Sequence, residues 1–221
     1  MPSKYIVREF VKDGTYHVFN RGVDKRVIFL DDEDYNMFFY YLYIYVTPLE
    51  KVLRRYRNLP VRLFSKNLAK EIELLAFCLM PNHFHLLVRQ KSEKSLAQFM
   101  KQITNAYAQY FNNKYKRAGS LFEGRYKTVR VIRDEQLVHL SRYIHLNPVV
   151  AGLTKEPEYE WSSYGEYVDD SAGKICHTKV VLDYFPSVYA YKKFVHDQKD
   201  YGKKLHEIRG LVIEEELGTR N

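Results

Sequence analysis

The chain has 221 residues, 46% hydrophobic and 28% charged, the balance of a soluble globular protein long enough to bury a sizeable core. Thirty-five Lys and Arg against 27 Asp and Glu give a net charge of +8, a field that attracts polyanions, nucleic acid first among them. Two cysteines, Cys78 and Cys176, give no basis for a disulfide framework or a cysteine-rich zinc site. No apolar run has the length of a signal peptide or a bilayer span, so a cytoplasmic location away from membranes is expected.

In chain order, 15-TYHVFNRG-22 alternates and is rich in β-formers, so it predicts a first strand ending at Arg21-Gly22. After the short run 26-RVIFL-30, the stretch 31-DDEDYNMFFYYLYIYV-46 begins acidic and turns apolar. It predicts a helix capped by Asp31 or Asp32 and ended by Pro48. Residues 50–70 are rich in Lys and Arg and interrupted by Pro60, which suggests an exposed, partly helical excursion. The runs 73-ELLAFCLM-80 and 83–89 predict a hairpin. Residues 95–117 carry Leu96, Phe99, Met100, Ile103, Tyr107, Tyr110 and Phe111 at helical spacing and stop at Ala118-Gly119-Ser120. A fourth strand is expected at about 126–132. A last strong helix is expected over 134–147, capped by Asp134 and ended by Pro148. The order β-α-β-β-α-β predicts an α+β fold: a ferredoxin-like (RRM-like) antiparallel sheet with helices packed on one face, followed by a C-terminal extension.

Two elements carry candidate chemistry. On the strand at 83–89, side chains alternate, so His83, His85, Leu87 and Arg89 share one face and Phe84, Leu86 and Val88 the other. The second set reads as the buried one, which leaves the two imidazoles on an accessible face, as a metal pair or as two surface histidines. On the helix at 134–147, Tyr143 and Asn147 are four residues apart and so lie side by side. They are either a nucleophile beside an oxygen ligand, or a half-buried tyrosine followed by a helix-ending asparagine. If the two elements meet, two imidazoles and an amide oxygen can hold a divalent ion that leaves room for a phosphate, with a tyrosine placed to attack it.

The segments 81-PNHFH-85 and 142-RYIHLNPVVAGL-153 resemble the histidine–hydrophobic–histidine (HUH) motif and the tyrosine helix of single-tyrosine transposases, especially the REP-associated tyrosine transposases. The segments 15-TYHVFNRGVDKRVIF-29 and 120-SLFEGRYKTVRV-131 extend the resemblance over roughly residues 14–168. The resemblance implies that Tyr143 is the nucleophile and that His83, His85 and Asn147 hold Mg²⁺ or Mn²⁺. It implies that single-stranded or hairpin DNA is cut and rejoined without ATP, leaving a 5′-phosphotyrosine and a free 3′-hydroxyl. It leaves open a monomer or a homodimer.

Arg125, Lys127 and Arg130 form a candidate phosphate-contact cluster on the fourth strand, and Arg21 and Lys25 add further candidates near the first turn. The expected division is a transposase domain over 1–170, with 48–70 as an insertion, and an extension of unassigned role over 171–221. Two rival readings remain: a nucleic-acid binder that keeps the fold without catalysis, and a metal phosphoesterase that uses water in place of tyrosine.

Overall fold

The alternating, β-branched and aromatic residues of 15–21 form the strand on which the rest is assembled. In the computed structural model, which describes residues 10–169 and 175–197, this strand, β1 (Thr15–Arg21), is flanked on both sides. The four-stranded sheet has the order β2-β3-β1-β4, with β2 at Ile72–Met80, β3 at His83–Gln90 and β4 at Lys127–Val131. Every pairing is antiparallel, and β2 and β3 make the expected hairpin through Pro81-Asn82. This is the ferredoxin-like arrangement read from the element order.

The two connecting helices, α1 (Asp32–Val46) and α4 (Ser95–Lys114), cover one face. Tyr16, Val18, Phe84, Leu86 and Val88 meet Phe38, Leu42, Phe99, Ile103 and Tyr107 there. The expected N-cap holds, since the Asp31 carboxylate accepts the Asp34 N–H at 3.1 Å. The helix ends of α1 and α4 are tied by Lys114, which bonds Asp31 and the fully buried Asp34 at 2.7 and 2.9 Å. Tyr110 and Tyr115 also donate to Asp34, at 3.0 and 2.9 Å.

The excursion after α1 contains α2 (Leu49–Arg55) and α3 (Val61–Phe64). It is pinned by buried Val52, Leu59, Leu63 and Leu68. The Asn67 amide donates to the carbonyls of Ile44 and Thr47 at 2.6 and 2.7 Å, so it caps the end of α1.

The second face of the sheet is covered as well, by α5 (Asp134–Val150). The cause lies outside the ferredoxin-like repeat: a third helix follows β4 and packs its Leu137, Leu140 and Ile144 stripe onto Ala76, Cys78, Leu87 and Val129. Two details of α5 differ from expectation. Arg133 is its N-cap, with Gln136 Oε1 accepting the Arg133 N–H at 3.2 Å, and Asp134 is the first helical residue. Pro148 lies inside the last turn, and the helix continues to Val150 before Gly152 (φ +71°) closes it. So near the end, proline forfeits little, because only the final turn depends on it. Beyond α5 come α6 (Tyr164–Val168), α7 (Lys179–Leu182) and α8 (Val188–His196), with Val181, Tyr191 and Val195 buried against the same core. Residues 198–221 of the expected extension lie outside the described residues.

Candidate active site between the sheet and the tyrosine helix

The site is assembled where the segments of the resemblance meet. Gly22 N–H donates to the Asn82 carbonyl at 2.8 Å, and Ile28 and Phe29 both donate to the Pro81 carbonyl, at 2.8 and 3.1 Å. Val23 N–H donates to Leu121 and Glu123 N–H to Arg21, at 3.0 and 2.8 Å, so the third segment joins the same end of the sheet. The approach is close: a Cβ on Gly22 would stand 2.3 Å from the Arg26 carbonyl. Just beyond, Asp24 and Lys25 both take the left-handed φ of +56°. That bend presents the Lys25 carbonyl to the Asn82 side chain, whose Nδ2 donates to it at 3.2 Å.

This fixes the Asn82 amide, and with it His83. The Nδ2 of Asn82 faces a carbonyl, so its Oδ1 faces the ring, 2.6 Å from His83 Nδ1. An amide oxygen only accepts, so His83 is protonated at Nδ1. His85 is held at the same ring position by a residue the sequence reading passed over: His17 Nε2 lies 2.9 Å from His85 Nδ1, with the rings stacked at 5.1 Å. His17 was legible as a strand residue, but its role depends on register, since it sits beside the His85 pair on the neighbouring strand. The His83 and His85 rings are 4.9 Å apart and perpendicular.

The histidine face is buried, contrary to the accessible face expected from alternation. His85 is 0% exposed and His83 9%, because α5 lies over them. Tyr143, 1% exposed, packs its ring edge-on against His85 at 5.6 Å between centroids and against His17 at 6.2 Å. Asn147 follows one turn along α5 and is also buried; its Nδ2 has no hydrogen-bond partner among the described residues. The donor chemistry fits a divalent ion of the Mg²⁺ or Mn²⁺ type. Both imidazoles are hydrogen-bonded at Nδ1, which leaves Nε2 as the atom able to ligate, and Asn147 offers an amide oxygen.

Elsewhere, among the described residues, one group of three His, Cys, Asp or Glu side chains has its ligand atoms within 4.8 Å of one another: Glu156, Glu158 and His196. It is largely exposed and already tied up. His196 bonds Tyr164 OH at 3.0 Å and pairs with Glu156 at 3.3 Å, and Lys192 reaches Glu158 at 3.7 Å.

The basic candidates do not form one cluster. Lys127 lies on the histidine face, since it pairs with Phe19, which pairs with His85. Arg130 pairs with Tyr16 and so belongs to the opposite face. Arg125 precedes β4 and stacks over the Tyr126 ring at 5.4 Å. Arg21 is ion-paired with Glu123, and Lys25 is exposed on its turn. Of the other residues considered, Tyr107 and Tyr110 are packing residues of α4, as their spacing indicated. His139 is buried against Phe194. His145 turns away from the site and bonds Tyr191 OH and Ser163 Oγ at 2.7 and 2.8 Å.

Residues 50–147 match the family model described as "Transposase IS200 like". That span contains His83, His85, Tyr143 and Asn147. Among solved structures, the chain is similar to a REP-associated tyrosine transposase bound to a REP hairpin. The identity is 18%, with 76% of this chain and 87% of that one covered and a TM-score of 0.53. A crystal structure of a candidate transposase from Deinococcus radiodurans R1 matches at 17% identity over 62% of this chain and 90% of that one, with a TM-score of 0.36. No curated protein matches. The first structure supports the HUH fold already seen in the strand order and in the tyrosine helix across the histidine pair. No helix among the described residues is long and apolar enough to cross a membrane.

Proposed function

We propose that the protein is a divalent-metal-dependent transposase that cuts and rejoins single-stranded DNA through a 5′-phosphotyrosine at Tyr143. The observation that supports this reading is the edge-on packing of the Tyr143 ring against His85, 5.6 Å between centroids. His83, His85 and Asn147 would hold the ion, which supplies Lewis-acid polarisation of the phosphate when bound.

The chain's own residues account for the rest. Tyr143 Oη attacks the phosphorus, forming the O–P bond as the P–O3′ bond breaks. The phenol proton passes to water, because tyrosine's ordinary pKa near 10 keeps it protonated at neutral pH. The leaving 3′-oxygen takes up a proton. Lys127, on the same face, meets the phosphate charge, and Arg21, Lys25, Arg125 and Arg130 contact the backbone on the way in or out. His17 and Asn82 hold the two imidazoles in the ligating tautomer. The phosphotyrosine conserves the bond energy, so a 3′-hydroxyl rejoins without ATP. The substrate is single-stranded DNA with hairpin-bearing ends, and the protein acts as a monomer or homodimer. Residues 1–170 form the transposase domain, with 48–70 added to it and 171–221 as an extension.

The test is covalent capture. Single-stranded hairpin oligonucleotides from the DNA flanking the gene, incubated with protein and Mn²⁺, are expected to give a denaturant-resistant adduct. That adduct should vanish in Tyr143→Phe and in His83→Ala. Cleavage that persists in Tyr143→Phe without an adduct would assign the chemistry to water instead. The near-complete burial of Tyr143 supports one rival, a binder that keeps the fold. DNA binding with no cleavage in either metal would establish that rival.

A further inference from the structure

The positive charge is concentrated away from the histidine pair. Between residues 50 and 70 there are seven Lys or Arg (Lys51, Arg54, Arg55, Arg57, Arg62, Lys66, Lys70) against Glu50 alone, a net +6 of the chain's +8. This excursion sits beside the outer surface of α1 and α4, on the side of the sheet opposite Tyr143. A field so placed does not serve the catalytic face directly.

Beneath it runs a cleft of 430 Å³ between α3 and α4. Tyr41 and Tyr45 line its wall, with rings stacked at 6.1 Å, and Arg62, Lys66 and Lys101 stand at its rim, with no Asp or Glu among the lining residues. Along α4 the amides Gln98, Gln102, Asn105 and Gln109 face the same cleft, a ladder about 16 Å long at 1.5 Å per residue. Two groups there are unspent. Tyr45 OH and Gln102 Oε1 are buried atoms with no hydrogen-bond partner among the described residues, although Tyr45 is 0% exposed. Burial pushes the Tyr45 phenol up to about 12, so it is a neutral donor. An unmet donor and acceptor in a cationic, acid-free cleft call for a ligand with both polar edges and negative charge.

The cleft shares two lining residues with a second one. Lys101 and Asn105 also line a cavity of 540 Å³ on the other flank of α4, which reaches Asn20, Arg125 and Tyr126. Asn20 adjoins Arg21, the partner of His83 in the β1–β3 register. A basic track therefore leads from the catalytic end of the sheet, over α4 at Lys101, to Arg62 and Lys66.

We infer that this track is a second DNA-binding surface, on which a single strand leaving the active-site end crosses α4 and seats a nucleotide in the Tyr45–Gln102 cleft. Arg62, Lys66 and Lys101 neutralise its phosphates, while Tyr45 OH and the α4 amides meet its base edges and sugars. The inference rests on the proposed single-strand DNA activity but concerns affinity, not chemistry.

Fluorescence anisotropy tests it with a single-stranded probe of about 25 nucleotides and one of about eight, across a salt series. Arg62→Gln/Lys66→Gln is expected to weaken the long probe at least tenfold and to shrink the salt slope by about 1.4, two phosphates' worth. Tyr45→Phe, a conservative change that keeps the fold, is expected to cost about fivefold, one hydrogen bond. Short-probe binding and covalent capture should be unchanged in both. An unchanged long-probe affinity and slope in both variants overturns the inference. So does an equal loss in Lys155→Gln/Lys193→Gln, which removes the same charge elsewhere, or an equal groove dependence with a blunt duplex. Groove-dependent binding without any covalent adduct would sink the transposase chemistry and leave this surface standing. Adduct formation with an indifferent groove would do the reverse.

Discussion

At the scale of single residues, the candidate centre is defined by what holds the histidines. Two imidazoles alternate on β3 because strand geometry points them to one face, but alternation does not choose which ring nitrogen is presented. Asn82 makes that choice for His83, and the bond to His17 couples the tautomer of His85 to that of His17. For His85 to ligate through Nε2, its Nδ1–H must donate to His17 Nε2, with His17 itself protonated at Nδ1. Replacing His17 by Phe keeps a ring in the stack but removes the acceptor. Mn²⁺ affinity, read by titration calorimetry, is then expected to fall about 10- to 100-fold. His17→Gln, which can still accept, should recover part of it. Mn²⁺ binding as tight in His17→Phe as in the parent would remove His17 from any positioning role.

The secondary-structure elements show why some of this was legible and some was not. Periodicity located all four strands and the long helices, because each obeys a local rule over 5 or more residues. It misjudged the histidine face for a non-local reason. Phe84, Leu86 and Val88 mark one apolar face correctly, but nothing near them announces that α5, some 50 residues on, returns to cover the other. The Tyr143–Asn147 pair was visible as a flank of a helix; that the flank meets His85 was not. Turn packing was half visible: Arg21-Gly22 read as the end of the first strand, but the clamp of Gly22 on Asn82 is tertiary. Gly22→Ala should cost about 1–3 kcal/mol, since the new Cβ forces the Arg26 carbonyl away. Urea unfolding measures this, and an unchanged midpoint would mean the turn relaxes freely. Between α1 and α4, Lys114→Met leaves the fully buried Asp34 carboxylate without its cation. A loss of about 3 kcal/mol is expected by the same measurement, and recovery in Lys114→Met/Asp34→Asn would identify the stranded charge as its cause.

At the scale of the whole molecule, charge and polarity divide the work between the two sides of the sheet. The basic excursion and the amide-lined cleft lie with α1 and α4, and the buried histidine pair lies under α5. Besides its apolar stripe, α5 is tied by a joint made of distant parts of the chain. His145 bonds Tyr191 of α8 on one side and Ser163 on the other, and Ser163 Oγ accepts the Phe77 N–H of β2 at 2.9 Å. A neutral imidazole satisfies both neighbours, donating from one nitrogen and accepting at the other, whereas the imidazolium has no acceptor to offer. Burial accordingly lowers the His145 pKa from 6.5 to about 3. The sign follows from proton counting. Between about pH 6.5 and pH 3 the unfolded chain binds a proton at this site and the folded chain does not. The contribution is therefore complete above pH 6.5 and is lost as the pH falls toward 3, at about 1.4 kcal/mol per pH unit. Denaturant unfolding of the parent and of His145→Gln at pH 7.0, 6.0 and 5.0 isolates it, because other groups titrate equally in both. The parent's stability should fall more steeply with acid than the variant's, the two slopes differing by up to that amount. Parallel slopes would show that His145 takes up its proton without unfolding, and that the joint holding α5 over the histidines does not depend on a neutral ring.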